Sequence, residues 1–487
     1  MLDSDALTLA RRIRTKEISP VEVVDAVLRR IEALQPTVNA FITVTADAAR
    51  ADARRAEAAV MAGEPLGPFH GVPFSVKDLV FTRGVRTTMG SVIFADQVPA
   101  DDAVPVQRLR AAGAILVGKT TTPEFGHKPL TDSPLFGVTR NPWDLSRTCG
   151  GSSGGAAAAV ASGQGPLALG TDGGGSIRIP AACCGIVGLK PTLGRVPHVH
   201  QADLFSSTSY IGPMTRTVAE AGACFDVIAG PDRRDPWSHA EPADDARLDV
   251  RGLRIGWMPR VGNRLVDAET LAACEAAARH LERQGARVET LEEDFAAFEP
   301  IFLVFLQAGL AARIGSHMPK FADRVAKTLR ESVERGAAWS GVDYANALGQ
   351  RTVVYRRVHG LFQRFDFLLS PTISRPALPA DHDAFEPITI DGQAAGSIRG
   401  AWYPYLFPFN LSGHPAASVP AGWSSDGLPI GLQIVGPWDA DRRVLALAAD
   451  LERERPCARA FEAGGLEGPQ TPRRSEPPRQ SRGGPRS

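Results

Sequence analysis

Apolar residues recur at helical spacing from Asp5 to Leu34, and the pattern breaks at Ser19-Pro20. Pro20 suits the first turn of a second helix, with Ser19 as its cap. A helix with a polar face is expected over Arg54 to Met61, ended by Gly63 and Pro65. The pattern then changes. Gly71-Val72-Pro73-Phe74-Ser75-Val76-Lys77 is a short apolar run that reads as a buried strand and ends on a lysine. Val104 to Ala112 reads as a helix stopped by Gly113, and Ala114 to Val117 as a strand. A strand is expected at Leu253 to Trp257, then a helix capped by Asp267 and ended near Gln284 by Gly285. Further strands are expected at Asp366 to Leu369, Ala417 to Val419 and Leu432 to Val435. The last two are separated by the turn signal Asp426-Gly427. Helices alternating with strands predict an α/β architecture.

Two stretches lack periodicity. Pro231 to Asp249 is a polar connection, and Gly464 to Ser487 is built from Pro, Gly, Ser and Arg. The latter cannot bury apolar surface and is expected to be a disordered tail. The remaining residues, 1–463, read as one large domain. It comprises N-terminal helices (1–65), a catalytic core (66–230) and a C-terminal part (250–463).

Composition narrows the function classes. The 487 residues carry 54 basic and 54 acidic side chains, so there is no footprint for nucleic acid or an anionic membrane. The best apolar run, Ile301 to Leu306, stops at Gln307, and no bilayer-spanning segment is expected. Met1-Leu2-Asp3-Ser4-Asp5 does not resemble a signal peptide. Cys149, Cys183, Cys184, Cys224, Cys274 and Cys457 form no C-x-x-C pair, which predicts reduced thiols and a cytoplasmic location.

Two motifs match by letter only. Gly113 to Thr120 spells a phosphate-binding loop, but its intervening Ala114-Ile115-Leu116-Val117 is the predicted strand. Gly151-Ser152-Ser153-Gly154-Gly155 spells a nucleophile elbow, which needs an apolar strand before it. The residues before it are mostly polar, and neither His382 nor His414 has a recognisable setting.

The chemistry concentrates in two glycine runs flanking a predicted alanine helix, Ala156 to Ala161. The first is Gly150-Gly151-Ser152-Ser153-Gly154-Gly155. The second is Gly170-Thr171-Asp172-Gly173-Gly174-Gly175-Ser176-Ile177-Arg178. Glycine runs let several backbone amides turn toward one point, and a serine ending such a run has its hydroxyl beside them. That is a nucleophile with an oxyanion hole. Lys77 is the candidate base, since burial disfavours its ammonium form; a structural ion pair with Asp78 is the alternative.

These runs, Gly71 to Asp78, and Cys184-Gly185-Ile186-Val187-Gly188-Leu189-Lys190-Pro191-Thr192 together resemble the amidase signature family. Asn141 to Asp144, Asp366 to Thr372, Phe409 to Pro415 and Gly427 to Gln433 extend the resemblance to about Val435. It implies a single α/β domain whose central mixed, twisted β-sheet is covered on both faces by α-helices, with no cofactor and no metal. It assigns Lys77 as base, Ser152 as bridging serine after a cis peptide bond, and Ser176 as nucleophile. The amides of Gly173, Gly174, Gly175 and Ser176 correspond to the oxyanion hole, and Ser153, Asp172 and Arg178 to loop braces. Gly173 and Cys149 depart from the family pattern, which commonly has a bulkier apolar residue and a proline there.

The implied reaction is hydrolysis of amide C–N bonds through a seryl acyl-enzyme, with carbamates and esters open as substrates. One branch of the family generates ammonia from glutamine within a tRNA-dependent amidotransferase; a catalytically silent binding subunit is a further alternative. Tyr403 lies near the position where that branch carries an acid, in the aromatic run Ala401 to Phe409. An apolar acyl or aryl pocket is therefore expected, with Tyr403, Phe125, Phe136 and the segment Ile301 to Leu306 as its candidates. The partners implied are a small-molecule amide or carbamate and water, with homo-oligomerisation left open.

Overall fold

The computed structural model describes residues 1–205, 208–240 and 248–454. The predicted tail and part of the polar connection lie outside them. The N-terminal helices form as expected, Ala6–Arg14 and Pro20–Val38, and the second opens with a capping box between Ser19 and Glu22. The next helix is longer than its polar face suggested, Ala46–Ala62, because Ala49 and Ala53 bury its first turns.

Eleven strands form one mixed sheet. In chain order they are β1 (Phe41–Val44), β2 (Pro73–Lys77), β3 (Ile115–Thr120), β4 (Leu167–Asp172), β5 (Val187–Lys190), β6 (Tyr210–Thr215), β7 (Arg254–Trp257), β8 (Arg287–Thr290), β9 (Phe367–Pro371), β10 (Ala416–Trp423) and β11 (Pro429–Val435). Their spatial order is β1-β3-β2-β4-β6-β5-β10-β11-β9-β7-β8. Parallel pairs β2–β3, β2–β4, β7–β9 and β7–β8 flank an antiparallel centre. Burial on both faces explains why β2, β3, β4, β9 and β11 read as continuous apolar runs rather than alternating ones. Two large apolar clusters supply the core. The alanine helix, Gly154–Ala161, is buried at every position and shares one cluster with Val24, Val27 and Ile31 of the second helix. Small side chains fit a helix enclosed in this way.

One expectation changes. The apolar run near Ile301 belongs to the helix Glu299–Ile314, within a helical stretch Ala296–Phe321 of 26 residues that contains an 18-residue window of mean hydropathy 1.5. By length and composition this stretch could cross a membrane, although Glu299, Arg313, His317 and Lys320 interrupt it as well as Gln307. The Gln307 side chain accepts a hydrogen bond from Trp339 Nε1 at 3.0 Å.

Candidate active site

Lys77 is the last residue of β2, and its side chain is fully buried. Its Nζ lies 2.7 Å from Ser152 Oγ, 2.9 Å from Ser153 Oγ and 2.9 Å from Thr171 Oγ1. Burial pushes the amine well below the ordinary lysine value, and the Asp172 charge opposes this only in part. Asp78 does not pair with it. That carboxylate accepts from the Thr88 N–H and hydroxyl instead.

The proton arrangement around Lys77 follows from its neighbours. The Ser153 hydroxyl donates to the Thr171 carbonyl (3.0 Å) and accepts from the Thr171 N–H (3.2 Å). Towards Lys77 it is left to act as an acceptor. A neutral amine therefore spends one N–H on Ser153 and the other on Thr171 Oγ1, and its lone pair is left facing Ser152.

The peptide bond between Gly151 and Ser152 is cis. The Ser153 N–H donates to the Ser176 carbonyl at 3.1 Å, tying the serine pair to the second glycine run. In that run Gly173 and Ser176 are half-buried, while their neighbours are buried. The Ser176 hydroxyl makes no hydrogen bond among the described residues.

Asp172 and Arg178 hold the second run rigid. The pair is fully buried, with Arg178 Nη2 2.9 Å from Asp172 Oδ1 and Nε 2.9 Å from Oδ2. Burial would raise the Asp172 carboxyl, but Arg178 and the amide of Asn410 hold it well below the usual range. Arg178 also donates to Gln433 Oε1 (2.7 Å), the Leu406 carbonyl (3.1 Å) and Asn410 Oδ1 (2.6 Å). Asn410 returns two bonds to Asp172.

Asp172 Oδ1 also accepts the Gly175 N–H at 2.6 Å. This removes Gly175 from the expected set of amide donors. Among the described residues the N–H groups of Gly173, Gly174 and Ser176 make no protein hydrogen bond, so three donors stand free beside the Ser176 hydroxyl. A methyl group on Gly174 would come within 2.5 Å of Phe302, and one on Gly175 within 2.5 Å of Leu406. One on Gly173 would meet nothing within 4 Å, so that position opens space at the site.

A cavity of about 70 Å³ lies over Ser176. Its walls include Gly173, Gly174, Ile179, Phe302, Leu306, Arg399 and Tyr403. Tyr403 and, from the Ile301–Leu306 segment, Phe302 and Leu306 line this cavity. Phe125 and Phe136 do not. Phe125 packs behind the wall against Phe94 and Met89, at a left-handed φ of 54°, and its neighbours Gly126 and His127 line the cavity. Phe136 sits beyond the cavity on a small hairpin, with Arg86 over its ring and Asn39 bonded to its carbonyl. Burial pushes His127 down to about 3, so it is a neutral wall residue.

The remaining motifs resolve structurally. Lys119 of the loop-like motif is buried within β3 and donates to the Val80 carbonyl and the Thr82 and Thr87 hydroxyls. The elbow-like motif follows a strand, Asp144–Thr148, but that strand belongs to a two-stranded hairpin outside the main sheet. His414 is bonded to Ser412 and stacked on Phe362, away from the serines. Cys149 is buried, and burial pushes its thiol up to about 12, which makes it inert at neutral pH. No cluster of three or more His, Cys, Asp or Glu side chains among the described residues is placed to hold a metal.

Asn410 and Gln433 were not assigned roles from sequence, yet they complete the brace. Each is a lone polar residue inside an apolar run, Phe407 to Leu411 and Pro429 to Val435, and that interruption was the available signal.

Comparisons with known proteins identify the family. The Amidase family model matches residues 22–445. An acylamidase of Rhodococcus erythropolis is 39% identical over 461 residues, covering 93% of this chain and 96% of its own. A glutamyl-tRNA(Gln) amidotransferase subunit of Acidothermus cellulolyticus is 39% identical over 486 residues, covering 92% and 94%. The crystal structure of a bacterial aryl acylamidase of the amidase signature family superposes with a TM-score of 0.87 at 33% identity, covering 94% of this chain and 97% of that one. This chain belongs to the amidase signature family.

Proposed function

We propose that this amidase hydrolyses its substrates through an acyl-enzyme on Ser176, with Lys77 as the base and Ser152 as the proton bridge. The observation that carries the reading is the 2.7 Å contact between Ser152 Oγ and a buried lysine that has no acid partner among the described residues. Neutral Lys77 takes the Ser152 proton as Ser152 takes that of Ser176. Ser176 attacks the carbonyl carbon, and the free amides of Gly173, Gly174 and Ser176 receive the oxyanion. The proton returns through Ser152 to the leaving nitrogen, and water releases the acyl group by the same path. Carbamates and esters offer the same attackable carbonyl and fall within the reading.

Glutamine is the second reading, since amidotransferase subunits are among the relatives. The cavity lining weighs against it. Arg399 and Tyr403 stand there beside the apolar Phe302, Leu306 and Ile179, and among the described residues no carboxylate lines the cavity to pair with the α-ammonium of glutamine. The buried, unbridged cysteines suit a reducing compartment, which supports the cytoplasmic placement.

The test is labelling with a fluorophosphonate or sulfonyl fluoride probe, mapped by mass spectrometry. Adduct on Ser176, absent in Ser176→Ala, is the expected result. An unlabelled protein that binds but does not turn over amides would instead make it a silent subunit. Turnover of anilides, aliphatic amides, carbamates and glutamine by the isolated chain ranks the substrate classes, with glutamine expected last.

A further inference from the structure

A second, larger space adjoins the first. A cleft of about 660 Å³ shares Thr208 with the cavity over Ser176, so the two meet at that residue. Most of its wall is apolar, formed by Phe305, Ala308, Ala312, Trp339 and Tyr344, with Gln201, Asp203, Ser209 and Ser340 on its polar side. Among the described residues one cation faces it, Arg313.

Among the described residues Arg313 makes no ion pair with a carboxylate. Its recorded contacts are Met89 Sδ at 3.6 Å, a weak acceptor, and the Phe125 ring, 5.6 Å from the guanidinium carbon. Asp203, the acid of the same cleft, accepts the Phe205 N–H at 2.8 Å. A guanidinium carries five N–H donors, so most of those on Arg313 are unspent among the described residues.

The helix Glu299–Ile314 joins the two spaces. Phe302 abuts Gly174 at the nucleophile, while Phe305, Ala308, Ala312 and Arg313 line the cleft. Phe302 and Arg313 are about 16 Å apart along the axis at ~1.5 Å per residue, and an arginine leans back toward the helix start. The distance from the reacting carbonyl to the guanidinium is therefore about 10–16 Å.

We infer that the cleft is a subsite for the remote end of the substrate, and that Arg313 selects amides whose apolar body ends in a carboxylate. This rests on the acyl-transfer reading above. The apolar wall takes the body, and the guanidinium takes the carboxylate by a paired, charge-assisted hydrogen bond.

Monoanilides of linear dicarboxylic acids, compared with alkanoyl anilides of equal length, test this. The ratio of kcat/KM for acid over neutral substrate should peak at one chain length. In Arg313→Gln that ratio should fall roughly 10–100-fold, and Arg313→Lys should restore part of it, since a lysine keeps the charge but not the fork. Calorimetric binding of the same monoanilides to Ser176→Ala reads the subsite without chemistry. Equal affinity for acid and neutral ligands at every length, or a preference that survives Arg313→Gln, overturns the inference. Acid-selective binding without turnover by the wild-type chain would instead overturn the acyl-transfer reading and leave the subsite standing.

Discussion

Two lysines one strand apart meet opposite fates. Lys77 ends β2, and Lys119 lies in β3; both are fully buried. The parallel register pairs Val76 with Lys119 and Lys77 with Thr120, so the two side chains leave the sheet on opposite faces. Burial lowers both, Lys119 to about 8 against the pull of Asp78 and Asp102. Lys77 lies well below the ordinary lysine value and meets three hydroxyl groups. A buried lysine is thus not by itself a base. It becomes a candidate when its lone pair faces a hydroxyl that borders a nucleophile, and Lys119 instead anchors a carbonyl and two threonines.

Substitutions should separate those fates. Ser176→Ala should lower kcat by about 10³-fold or more, and Lys77→Ala by about 10²–10⁴-fold, with both proteins folded by circular dichroism. Asp172→Asn should leave Arg178 as an uncompensated buried charge and cost about 3–5 kcal/mol in denaturant unfolding. Lys119→Met should cost about 1–3 kcal/mol by leaving its oxygen partners unsatisfied, while kcat of the folded fraction stays near wild type. A Lys119→Met protein as inactive as Lys77→Ala would erase the distinction.

Protonation distinguishes the two lysines further. As the proposed base, Lys77 must be neutral, so kcat/KM should rise with pH along an acid limb placed well below the ordinary lysine value of 10.5. For stability the sign is set by the unfolded chain. Between pH about 8 and 10.5, Lys119 binds its proton more tightly unfolded than folded. The contribution of Lys119 to stability therefore rises with pH across that window, and Lys119→Met should remove one proton's share of the slope. The smallest effect is expected at Gly173→Ala. Its methyl meets nothing within 4 Å, so the melting temperature should hardly move, while KM for the bulkiest substrates rises. Gly174→Ala, which strikes Phe302, should lose both stability and turnover.

Much of this was legible in the chain before any fold was known. Apolar runs located β2, β3, β9 and β11, because strands buried on both faces need no alternation. Ser19 and Asp267 marked helix starts because an orphan N–H needs an acceptor. The glycine runs and their serines pointed to Ser152, Ser153 and Ser176, since only such runs let amides converge. Tertiary structure decided the rest, because it depends on segments far apart in the chain. Which of two buried lysines faces the serines is set by strand register. Gly175 leaves the donor set because Asp172, held by Asn410 from 238 residues away, takes its N–H. Asn410 and Gln433 brace the site from more than 200 residues away. The pocket wall is Phe302, Leu306, Arg399 and Tyr403 rather than Phe125 or Phe136, because helix packing, not aromatic character, determines which side chains reach Ser176.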